Sequence, residues 1–151
     1  MKTTLTKLLD SRNVLLVAML AGGLMFNPSA QAAEKSDAQM QIPASSAGIW
    51  QEIDKEVGQL DALIRSGKFE EVHHHAYAIR DLVAALPARS GSMSADKLAQ
   101  VKSNSKFVAT LAERLDTTGD AKDKAGTESN FQKLKTVLTT IRANYPDSTG
   151  K

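Results

Sequence analysis

The sequence predicts an all-α fold, an antiparallel up-down-up-down four-helix bundle made of two helical hairpins. Three observations predict it. Apolar residues recur in steps of three and four through four separate stretches, glycine or proline punctuates each stretch, and the connections between them are short.

The first residues read as an address rather than as part of that fold. Lys2, Lys7 and Arg12 precede the apolar run "VLLVAMLAGGLMF", and "NPSAQA" ends in the small-x-small pattern Ala30-Gln31-Ala32. A signal peptide over residues 1–32, cleaved after Ala32, is the expectation, and with it a periplasmic location. The run is shorter than the roughly 20 residues a spanning helix needs, so no membrane segment is expected after cleavage, and an uncleaved anchor is the minor alternative. Residues 33–47, "AEKSDAQMQIPASSA", lack periodicity and carry a proline, which makes them a flexible leader.

The bundle is expected over residues 48–146, with a disordered tail at 147–151. In the first helix, over about 47–66, Ile49, Ile53, Val57, Leu60 and Ile64 form the stripe and Gly67 terminates it. Phe69, Val72, Ala76, Ile79, Val83 and Leu86 form the second, which Pro87 stops. Ser94 caps a third helix that carries Asp96 in its first turn, with Leu98, Val101, Val108, Leu111, Ala112 and Leu115 on its apolar side. Asn104 and Ser105 interrupt that stripe as a buried pair, a bend or a register-setting polar site. The segment "DTTGD" is expected to break the chain at Gly119, with Asp120 capping a fourth helix built on Phe131, Leu134, Leu138, Ile141 and Tyr145.

Charge and composition narrow the function. The chain has 19 Lys+Arg and 17 Asp+Glu; residues 1–32 hold three of the former and one of the latter, so the remainder carries 16 of each. A net charge near zero gives no electrostatic footprint for nucleic acid or an anionic membrane. Without cysteine there is no disulfide, no thiolate metal site and no covalent haem attachment.

The chain's three histidines stand together in "EEVHHHAYAIRDL", residues 70–82. At about 100° per residue, His74 points away from the apolar seam while His73 and His75 fall on opposite flanks. The three cannot converge on one ion from an intact helix. Glu70 and Glu71, however, stand three and four residues before His73, His74 and His75, the spacing used by carboxylate and imidazole ligands on one helix face. That donor set suits copper(II), zinc, nickel or cobalt and would be completed by another helix, a second chain in a homodimer, or water. The competing reading is a solvated helix face, and Tyr77, Arg80 and Asp81 extend it toward a protein-binding patch with His74. The lysines at 122, 124, 133 and 135 read as solvated surface of the fourth helix, and Trp50 as an anchor at the start of the first.

Other chemistries fit poorly. A di-iron bundle needs histidine on two helices, a b-type haem needs an inward axial ligand, and an enzyme needs a cleft with converging groups. No haem is expected.

The stretches "SGKFEEVHHHAYAIRDL" and "RLDTTGDA" resemble small exported helical-bundle proteins of proteobacteria that accompany heavy-metal efflux and resistance systems, over residues 48–146. The architecture is also similar to cytochrome b562-type bundles, from which the chain departs at the haem ligands. The first resemblance implies a periplasmic metal-binding or metal-responsive accessory and carries over most directly to His73, His74 and His75 with Glu70 and Glu71, with a periplasmic component of an efflux system as partner; the residues themselves read as non-enzymatic. An envelope structural or protein-interaction module without metal is the alternative, and a b-type haem bundle the minor one.

Overall fold

A computed structural model of the chain describes residues 40–145, and among them are four α-helices and no strand. The expected signal peptide, its cleavage point after Ala32 and the tail at 147–151 lie outside the described residues. Of the leader, Met40 rests against the core and Ile42 is largely exposed.

Helix α1 spans Ser46–Ser66. Ser45 begins it, its hydroxyl accepting a hydrogen bond from the Gly48 amide at 3.1 Å. Gly67 ends it at φ 73°, a left-handed conformation that glycine adopts without Cβ strain. A tight turn at Phe69–Glu71 leads into α2, Val72–Ala85, and a second at Leu86–Arg89 contains Pro87, whose missing N–H ends the regular helix. Helices α3 and α4 span Ala95–Asp120 and Lys124–Arg142.

All the apolar residues named from the α2 stripe after Phe69 are fully buried, joined by Leu82 from the same side. With Ile49, Trp50, Ile53, Leu60, Val101, Val108, Leu115, Phe131, Leu134 and Ile141 they make one core. Asn104 and Ser105 are half-buried, and both bond back to carbonyls one turn earlier, Gln100 O at 3.0 Å and Val101 O at 2.8 Å. They satisfy themselves within α3.

The expected break at Gly119 is corrected. α3 continues through Gly119, which is buried, because a Cβ built there would sit 2.8 Å from the Phe69 carbonyl oxygen and only a hydrogen fits. The chain turns instead at Ala121–Asp123, where Lys122 takes φ 53° and its amide bonds the Gly119 carbonyl at 2.8 Å. Asp123, not Asp120, caps α4: its carboxylate accepts from the Gly126 amide at 3.0 Å.

Helix α2 packs on α1 and α3, and α3 on α4, while α1 touches α4 far less extensively. Contacts such as His75–Glu56, Tyr77–Asp116 and Arg142–Asp54 are compatible with antiparallel neighbours. No helix among the described residues is long and apolar enough to cross a membrane.

Gly58 offers the reverse of Gly119. It is exposed within α1, and a Cβ there meets nothing within 4 Å. Gly58→Ala is therefore expected to stabilise the fold by about 0.5–1 kcal/mol, since alanine loses less backbone freedom on folding. Chemical denaturation of the two chains measures it, with a higher midpoint and unchanged slope as the expected result.

Candidate metal centre

The helical period of α2 sends its three consecutive imidazoles to three surroundings. His74 is exposed, with its ring 3.9 Å from that of His73. His75 is half-buried toward α1, where its Nδ1 lies 2.6 Å from Glu56 Oε2. A carboxylate oxygen only accepts, so His75 Nδ1–H is the donor in this contact. None of the three belongs to the buried core.

His73 turns toward α3. One ring nitrogen of His73 and one carboxylate oxygen each from Asp116 and Asp120 lie within 4.8 Å of one another. Asp116 and Asp120 are one helical turn apart, so both carboxylates rise from one face of α3. Gly119 lets that end of α3 approach the Phe69 carbonyl and the Val72 side chain, which brings the start of α2 close enough for His73 to join them. One nitrogen and two oxygen donors match the ligands zinc accepts, at about 2.0–2.2 Å from the metal. Tetrahedral ligands at that distance stand roughly 3.4 Å apart, so small side-chain torsions would draw these three donors in around an ion, with water filling the remaining position.

Tyr77, one turn beyond His73, donates its hydroxyl to Asp116 Oδ2 at 2.8 Å. Its ring carries the Arg80 guanidinium at 4.5 Å, and Arg80 in turn donates to Asp81 at 2.8 Å. Tyr77 is thus turned to the α2–α3 seam rather than forming an exposed patch with His74 and Asp81. Supporting hydrogen bonds of this kind fix the orientation of ligating carboxylates.

The glutamates expected as ligands each stand beside an exposed lysine. Glu70 pairs with Lys122 at 2.6 Å, and Glu71 stands 3.9 Å from Lys68. The Lys122 ammonium holds the Glu70 carboxyl below its ordinary range through their hydrogen bond and charge, and Glu70 raises Lys122 in the same way. Of the five residues read from the sequence as one metal set, His73 alone joins the Asp116–Asp120 pair. Those aspartates were missed because the expected break at Gly119 separated them; an unbroken Asp-x-x-x-Asp turn was the signal.

Both tyrosines of the chain have raised hydroxyl pKa values. For Tyr77 the hydrogen bond to Asp116 is the main cause, followed by desolvation; for Tyr145 it is burial, opposed by the hydrogen bond with Ser90. The folded chain therefore holds these protons where the unfolded chain, near 10.0, releases them. Stability they contribute is complete below pH 10 and is lost as pH rises through the folded values. A tyrosinate absorbance titration should show both midpoints above 10; a component at the ordinary value would contradict either the Tyr77–Asp116 hydrogen bond or the burial of Tyr145.

No family model, curated protein or solved structure matches the chain.

Proposed function

We propose that the chain is a non-enzymatic, exported protein with an antiparallel up-down-up-down bundle, cleaved after Ala32, that binds a divalent transition metal as an accessory of metal homeostasis in the periplasm. The metal is held at the α2–α3 seam by His73, Asp116 and Asp120, with Tyr77 orienting Asp116. The observation that carries this reading is the convergence of one imidazole and two carboxylates from two helices to within 4.8 Å. The donor chemistry favours zinc, cobalt, nickel or copper(II) over thiophilic ions, since the chain has no cysteine. Only three protein donors from a half-exposed seam make the binding modest and reversible, which suits buffering or transfer to a periplasmic efflux component.

Calorimetric titration of the purified, metal-stripped chain with each of the four ions, in a non-chelating buffer, tests it. One saturable site of micromolar affinity or better supports the proposal. Non-saturating heats reject it and leave an envelope interaction module without metal.

A further inference from the structure

The seam between α1 and α4 is the least closely packed of the sequence-adjacent or end-closing helix pairs, and a groove of about 520 Å³ opens along it. Trp50, Ile53 and Val57 wall it from α1, and Leu138 and Ala143 from the α4 side. Positions 50, 53, 54 and 57 of α1 and 135, 138, 139 and 142 of α4 follow i, i+3, i+4, i+7 spacing, so each helix presents one continuous stripe to the space. Seven residues of helix make the groove about 10 Å long. Its volume is within the roughly 300–1,000 Å³ of small-molecule sites.

The charges at its rim do not cancel. Arg142 donates to Asp54 at 2.5 Å while its guanidinium lies 4.4 Å over the Trp50 ring, so this pair is neutral and sits at one end. Lys135 is half-buried at the other, its Nζ 4.7 Å from the centre of the Phe131 ring, and it has no ion-pair partner among the described residues. An apolar trough with one uncompensated cation is complementary to an apolar body bearing one anion.

We infer that the α1–α4 groove binds a small monoanionic amphiphile, an alkyl or aryl carboxylate, with its apolar body along Val57, Ala143 and the edge of Leu138, above the buried Trp50 and Ile53, and its carboxylate on Lys135. This site is separate from the α2–α3 metal seam and stands whether or not metal binds there.

Trp50 is the sole tryptophan, so its emission reports the groove directly. The test is titration of the full chain with decanoate below its micelle concentration, with nonyltrimethylammonium as the cation of equal alkyl length. A saturable change in Trp50 emission with decanoate, at one per chain and at least tenfold tighter than the cation, is expected. Lys135→Gln keeps much of the stem and removes the charge, and should weaken decanoate at least fivefold with the helical circular dichroism unchanged; Thr139→Glu, placing a like charge at the exposed edge, should weaken it again. Equal affinity for the two amphiphiles, no saturable response, or unaltered decanoate binding in both variants overturns the inference. So does an emission change that tracks protein concentration alone with a dimer in sedimentation, which would mean that a second copy covers the groove.

Discussion

Replacing Asp116 and Asp120 together by asparagine is expected to weaken metal binding at least about 100-fold, whereas replacing His74 and His75 together by alanine leaves it within about threefold. The first pair removes both anionic donors that stand with His73 and keeps the side-chain volume. The second removes an exposed imidazole and one already committed to Glu56. His73→Ala should match the aspartate pair, and Tyr77→Phe, which only frees the Asp116 carboxylate to wander, should lose about tenfold. Calorimetric titration of each variant, with helicity checked in parallel, makes the comparison. The opposite order, affinity lost with His74 and His75 and retained without the aspartates, would put the ion on the outer surface of α2 with Glu70 and Glu71.

The second large effect is on stability. Gly119→Val should cost about 2–3 kcal/mol, lowering the melting temperature by roughly 8 °C or more. Even the Cβ meets the Phe69 carbonyl oxygen at 2.8 Å and the Val72 Cβ at 3.5 Å, and both belong to the buried junction between α2 and α3. Backbone cannot swing aside as a flexible side chain can. Gly119→Ala should also destabilise, by about 1 kcal/mol, despite alanine's higher helix propensity. The same glycine-to-alanine exchange thus has opposite signs at positions 58 and 119. A valine variant that melts with the parent chain would show that the two helices do not approach this closely.

That glycine also explains how far the sequence could be read. The four apolar stripes, the Gly67 terminator, the Pro87 stop and the outward direction of His74 all follow from local periodicity and backbone chemistry, and each was legible. Gly119 was not, because a glycine beside aspartate and two threonines has the composition of a turn. Its role is set by a carbonyl from a residue 50 positions earlier, Phe69, and local composition carries no trace of that. Thr117 and Thr118, which also suggested a loop, bond back to the carbonyls of Glu113 and Arg114 at 2.9 and 2.8 Å and stay helical. The actual turn uses Lys122 in the left-handed region, where lysine is uncommon. Misplacing the break put Asp116 and Asp120 on opposite sides of it and hid their shared face from His73.

The T-shaped contact between Trp50 and Tyr145, with ring centroids 5.8 Å apart, brings the beginning of the first helix beside the end of the last. The linear order of the four helices is therefore one of several that this packing accepts. A short linker joining those two helix ends, in place of the segments outside residues 40–145, would close the bundle into a ring, and the ring could be reopened at Gly91, an exposed turn position whose surroundings leave nothing within 4 Å of an added side-chain carbon. Such a circular permutant would begin with α3 and finish with α2, turning the seam that holds His73, Asp116 and Asp120 from a contact between neighbours in sequence into one between the chain's two extremities.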